Sequence, residues 1–80
     1  MAKTPVTEEM IFDEVRTELR RAEGKFGPFA SAHEGYAVLL EEVDELWDAI
    51  KANDLVGKQT EALHVGAMAV RFVKMLWNLR

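Results

Sequence analysis

The chain has 80 residues, 49% of them hydrophobic and 30% charged, which excludes a disordered segment and leaves room for one domain, residues 1–80, with a thin core. Its net charge of -4 argues against a general nucleic-acid binder, which needs a basic footprint. The absence of cysteine excludes disulfides and thiolate metal sites and fits a reducing, cytoplasmic compartment. No apolar run approaches the roughly 20 residues that span a bilayer, and "MAKTPVTEEM" carries no apolar signal segment.

In chain order the pattern predicts three helices and no strand. The first runs from about Thr7 to Gly24. Thr7 suits an N-cap, Glu8 and Glu9 suit the positive end of the helix dipole, and Ile11, Phe12, Val15, Leu19 and Ala22 recur at helical spacing. "GKFGPF" then interrupts the chain, because Gly24 and Gly27 tolerate left-handed backbone and Pro28 resists helix continuation. The second helix starts after Ser31, which forms a capping-box pattern with Glu34. Tyr36, Leu39, Leu40, Val43, Trp47 and Ile50 make its apolar stripe, with Leu46 at the edge, and Trp47 is expected in the core. Asn53, Asp54 and Gly57 predict a turn, and a third helix from about Thr60 to the C-terminus. There Ala62, Gly66, Ala69 and Val73 form a small-residue line, widened by Val65, Phe72, Leu76 and Leu79.

The second helix carries Glu34, Glu41, Glu42, Asp44, Glu45 and Asp48. Like charges one turn apart destabilise a helix, so either these acids face water or a cation sits among them. Glu34, Glu41 and Glu45 lie opposite the apolar stripe, and Glu42 lies toward one flank. Glu42 and Glu45, three residues apart, can converge on one point and offer Mg²⁺ a partial oxygen shell. Glu61 shares a line with Val65, Met68 and Phe72, an awkward place for an unpaired charge. Folding the second and third helices antiparallel about residue 53 sets Glu45 opposite Glu61 and Glu42 opposite His64. A solvated acidic face and a divalent-metal site both remain open on these grounds.

"EEVDE", Glu41 to Glu45, with "EALH", Glu61 to His64, resembles the paired acidic boxes of the MazG-like all-α nucleoside triphosphate pyrophosphohydrolases. The longer phrases "FGPFASAHEGYAVLLEEVDELWDAIK" and "EALHVGAMAVRFV" are similar to small phage- or mobile-element-type members. The resemblance covers about residues 25 to 74. It implies Mg²⁺, or Mn²⁺, held by Glu42, Glu45 and Glu61, with Glu41 supporting the site or activating water. It implies hydrolysis of a nucleotide between its α- and β-phosphates, and helical hairpins paired into a homodimer or homotetramer. His64 departs from the family pattern, which has a carboxylate there. Imidazole suits Mn²⁺ better than Mg²⁺, so an altered metal preference, a three-carboxylate site and an inactive site all follow from it. A surface position for His64, in line with Arg71 and Asn78 on a polar face, is the plainer reading.

Arg16, Arg20, Arg21 and Lys25 form a basic patch, read as a solvated face paired with Glu14 and Glu18. Lys25, Arg71 and His33 are the candidate substrate contacts. Met68, Met75 and Trp77 suggest that a further surface docks on the third helix. A non-catalytic helical interaction module is the alternative to the enzyme.

Overall fold

In the computed structural model, which describes residues 4–79, each helix begins on a side chain that accepts a backbone N–H the first turn leaves unpaired. Thr7 accepts from Met10 ahead of α1, Glu8–Lys25. Ser31 accepts from Glu34 ahead of α2, Ala32–Lys51. Asp54 accepts from Gly57 ahead of α3, Leu55–Trp77. There is no strand among the described residues. The Glu34 carboxylate reaches back past Ser31 to accept from the N–H of Ala30 at 3.2 Å, so the expected box closes one residue earlier.

Helix α3 starts at Leu55, not near Thr60. Asn53 alone takes the left-handed turn, at φ 53°, and Asp54 caps the helix directly after it. Gly57 looked like a breaker but belongs to the first turn of α3. A Cβ there would stand 2.5 Å from the Asp54 carboxylate, so the glycine is what lets the cap close.

Helix α3 is central. It packs against both α1 and α2, which do not pack against one another. Ala49 lies beside Gly57, Glu42 beside Glu61 and His64, and Gly35 beside Phe72, so the contacts climb α3 as they descend α2. On the other flank Val15 of α1 comes nearest to Gly66. Buried Ala22, Ala67 and Met68 form the core, with Val15, Val38 and Leu39 packed around them. Phe29, in the α1–α2 connection, is also buried and meets Phe72 edge-on, with ring centroids 6.0 Å apart.

Helix α2 turns only Leu39 of its expected stripe, with Leu46 at the edge, toward α3. Tyr36, Leu40, Val43, Trp47 and Ile50 are all exposed, Trp47 at 55%. The side facing inward carries Gly35, Val38, Leu39, Glu42, Leu46 and Ala49. The physical reason is close approach: only glycine at position 35 admits the Phe72 ring, since a Cβ would lie 3.0 Å from it. The helix therefore docks about Gly35, with Leu39 and Leu46 inward, and the aromatic Tyr36 and Trp47 are left outside.

The described chain measures 52 × 28 × 19 Å with a radius of gyration of 14.2 Å, against about 12 Å for a rounded domain of this length. Fully burying one side chain of Met or Phe size stabilises by about 1.5–3 kcal/mol. Two of the four buried hydrophobic residues are alanines, so a single copy has a core at the small end of what folds alone. No helix among the described residues is long and apolar enough to cross a membrane.

Candidate metal centre

Three acids, one from each helix, surround a single imidazole. His64 of α3 places Nδ1 3.4 Å from Oε2 of Glu61 and 3.7 Å from Oε2 of Glu42 on α2. Its Nε2 lies 3.6 Å from Oε1 of Glu18 on α1. All four side chains are largely covered. A neutral imidazole donates from one nitrogen only, so it cannot satisfy acids on both edges. Oε2 of Glu42 and Oε2 of Glu61 are in fact buried with no hydrogen-bond partner, and a buried carboxylate oxygen without a donor is costly.

The electrostatics of the acids differ for identifiable reasons. Burial pushes the Glu42 carboxyl above its ordinary range, and the nearby charge of Glu45 adds to that. His64 opposes the rise, while the charge of Glu61 reinforces it. Glu18 is held below its ordinary range, first by its hydrogen bonds from Arg21, against the effect of burial and aided by the charges of Arg21 and His64. Arg21 Nε donates to Oε2 of Glu18 at 2.9 Å, and Nη2 donates to Oε1. One acid therefore has its cation already, and two face inward without one.

One ligand atom each from Glu42, Glu61 and His64 lies within 4.8 Å of the others. Bonds of about 2.1 Å to a small divalent ion place opposite ligands about 4 Å apart, so a slight inward movement closes the set. Two carboxylate oxygens and one imidazole nitrogen form a donor set that suits Mn²⁺ better than Mg²⁺. The residues present could hold a divalent cation, which would neutralise the two orphaned oxygens.

A cavity of about 260 Å³ opens beside the cluster, lined in part by Glu18, Arg21, Glu41, Glu42, His64 and Arg71. Glu41 is exposed on its wall. Glu45 is exposed too, stands against Glu42, and lies outside the tight group. The expected facing of Glu42 and His64 is present; Glu61 joins that pair directly. His33 and Lys25 line neither this cavity nor the one described below, and Lys25 instead sits 5.4 Å over the Phe26 ring.

Arg71 departs most from expectation. It is not on a polar face with solvent but buried, at 8% exposure. Its guanidinium lies 4.0 Å over the Phe29 ring, and Nη2 donates to the carbonyl of Gly27. His64, too, is half-buried inside the cluster, away from the surface position it shares on a helical wheel with Asn78.

The sequence pairs Glu18 with Arg21 on a solvated face; the structure also turns it toward His64. Its signal is present in the sequence: Ile11, Val15, Glu18 and Ala22 share one helical line, so the acid interrupts the apolar stripe that faces α3. Comparison with protein-family models, with curated proteins and with solved structures finds no match for this chain.

Proposed function

We propose that this chain is a metal-dependent nucleoside triphosphate pyrophosphohydrolase, releasing a nucleoside monophosphate and pyrophosphate. The observation that carries this reading is the pair of buried, partnerless oxygens on Glu42 and Glu61, converging on His64 at the edge of a cavity. The likeness of "EEVDE" to the acidic box of the MazG-like enzymes supports it. So does the run of contacts between α2 and α3, which suits the antiparallel hairpin of that family.

In this reading Glu42, Glu61 and His64 hold the metal, with Glu45 and Glu18 beside them. A bound divalent ion supplies the positive charge that polarises a phosphoryl group and offsets the acids' repulsion of phosphate. Glu41, exposed on the cavity wall, accepts a proton from the attacking water. The water oxygen bonds to phosphorus, the bond between the α-phosphorus and its bridging oxygen to the β-phosphate breaks, and pyrophosphate leaves with that oxygen. Incubating the pure protein with a panel of nucleoside triphosphates and Mg²⁺ or Mn²⁺ tests the proposal. Release of pyrophosphate from at least one of them is expected, and none at high protein concentration would sink it.

The exposed stripe Tyr36, Leu40, Val43, Trp47 and Ile50 completes the reading: a second copy covers it, giving a homodimer or homotetramer in the cytoplasm. Trp47→Glu sets a charge in the middle of that stripe, and burying an unpaired charge is prohibitive. The variant is expected to elute as a monomer in size-exclusion chromatography with light scattering. A parent that is itself monomeric at tens of micromolar, roughly the range for weak association, would remove this part of the proposal.

One observation favours a non-catalytic module instead. His64 stands among Glu18, Glu42 and Glu61, where a protonated imidazole would itself serve as their cation. His64→Asp separates the two readings. In a working site the anionic oxygen binds a hard cation more tightly than nitrogen does, so Mg²⁺ affinity should rise about tenfold and Mg²⁺-supported activity should gain on Mn²⁺. In the module the variant gathers four acids of which only Glu18 has a cation, Arg21, and Tm should fall with no recovery on adding metal.

A further inference from the structure

Arg71 is the one buried charged residue among the described residues. Its guanidinium has no carboxylate within 4.0 Å among them, whereas Arg16, Arg21, Lys51 and Lys74 at the surface each have one. The contacts it does make are a ring face at Phe29, the carbonyl of Gly27 and a long approach to the sulfur of Met68 at 3.8 Å. These fix the plane of the guanidinium without neutralising it. Burying a charge without a counter-charge is costly, and proteins that do so generally pair it or bind an ion there.

Arg71 also has access to ligand. It lines the cavity of about 260 Å³ that holds Glu18, Glu42 and His64. It also lines a second one of about 380 Å³, with Phe26, Lys74 and Met75 among its walls. The guanidinium therefore stands between the acidic cluster and a largely apolar hollow, where Lys74 is already paired with Glu23. His64 and Arg71 are seven residues apart on α3. That is two turns, about 10 Å along the axis on one face. A single phosphate is too short to engage both ends of that span, and a chain of phosphates is long enough. A planar, always-charged fork is the side chain best suited to phosphate oxygens.

We propose that Arg71 is the phosphate-binding residue of this cleft, and that its ligand is a polyphosphate chain, as in a nucleoside triphosphate, that reaches from the guanidinium to the Glu42–Glu61–His64 cluster. The proposal rests on the hydrolase reading for the identity of the far end. The bound anion supplies the counter-charge the fold withholds. Phe29 and Gly27 hold the fork in place before the ligand arrives, so little ordering remains to be done on binding.

Calorimetric titration of the full chain with inorganic tripolyphosphate, in excess Mg²⁺ and again in chelator, provides the test. The parent is expected to bind tripolyphosphate, more tightly with Mg²⁺, and to bind orthophosphate at least tenfold more weakly. Arg71→Met keeps an unbranched side chain of similar reach beside Phe29 but removes the guanidinium that lies over the ring, and should lose at least tenfold in tripolyphosphate affinity. Arg71→Lys, which keeps charge but not the fork, should fall between. Should the methionine variant not fold by circular dichroism, the Arg71 Nε–H resonance of the parent gives the same answer, since it must move on adding tripolyphosphate. No binding by the parent in either buffer, equal affinity in parent and methionine variant, equal affinity for orthophosphate, or a static Arg71 resonance would each overturn the proposal. The two readings fail separately. A parent that releases no pyrophosphate from any nucleotide loses the hydrolase reading, while Arg71-dependent capture of tripolyphosphate stands. A parent that hydrolyses nucleotides while Arg71→Met leaves both KM and tripolyphosphate affinity unchanged keeps the hydrolase and loses this role for Arg71.

Discussion

Glu42→Gln is expected to melt higher than the parent in metal-free buffer at neutral pH, and to lose nucleotide hydrolysis by at least about a hundredfold, the upper range for disturbing even an outer partner of a metal ligand. Both effects come from one atom. Oε2 of Glu42 is buried without a donor, and its carboxyl is raised by burial first and then by Glu45. An amide of the same shape removes the charge and brings N–H donors to Glu61 and Glu45. The metal-free gain should be a few tenths to about 1 kcal/mol, since the group is only partly shielded from solvent.

The sign with pH follows from the direction of the shift. A raised carboxyl stabilises the fold when protonated, so Glu42's contribution is fully present below its ordinary value of 4.5 and is lost as pH rises through its higher folded value. The advantage of Glu42→Gln should therefore open above that window and close in acid. Glu18 runs the other way. Its carboxyl is lowered chiefly by the hydrogen bonds from Arg21, so it stabilises above 4.5 and loses that contribution as pH falls through its lower folded value; Glu18→Gln should melt below the parent at neutral pH. Metal reverses the order for Glu42. A ligand at about a hundred times its Kd stabilises by about 2.7 kcal/mol, which the parent gains and Glu42→Gln does not. Melting curves of the two proteins with and without Mn²⁺ should cross over, and parallel curves would take Glu42 out of the metal centre.

Gly35→Val is expected to cost about 1–3 kcal/mol, the usual range for overpacking. In a domain of this size that lowers Tm by about 4–8 °C per kcal/mol. A Cβ at position 35 would lie 3.0 Å from both Cδ1 and Cε1 of Phe72. Phe72 is also held by its edge-on contact with Phe29, ring centroids 6.0 Å apart, and Phe29 in turn carries the Arg71 guanidinium. The added methyls must push α2 off α3. Glu42 rides on α2 while Glu61 and His64 ride on α3, so the same displacement opens the cluster and should lower metal affinity with stability. Gly35→Ala, with one methyl, should show the smaller version of both effects. A valine variant that melts with the parent would mean that the two helices have room to spare at this contact.

The helices themselves were legible from local chemistry. Thr7 and Ser31 read correctly as N-caps, and Lys51 closes α2 where the "KANDLVG" turn begins. The start of α3 was misplaced because Asp54 and Gly57 carry two signals at once. Each is a turn residue by composition, and together they make an N-cap that starts a helix. The site was half legible. The facing of Glu42 and His64 follows from hairpin arithmetic about residue 53, and their nitrogen-to-oxygen distance is 3.7 Å. Glu18 was not found, because hairpin arithmetic relates two neighbouring helices and says nothing about what α1 brings.

The sequence by itself determined what depends on near neighbours in the chain: three helices, their caps, and the acids on their faces, all set by interactions within about one turn. Only the tertiary structure decided which face of each helix is inside. A helical wheel ranks faces by hydrophobicity, and on that scale Tyr36, Leu40, Val43 and Trp47 belong to the core. Packing ranks them by fit, and Gly35 against Phe72 lets α2 approach on a different side. That rotation leaves the bulky stripe outside and turns Glu42 inward. The same rule put Arg71 beneath the connection from α1 to α2, where the Phe29 ring covers it. Neither placement is visible from spacing along a single helix, because each is fixed by the shape of a surface far away in the chain.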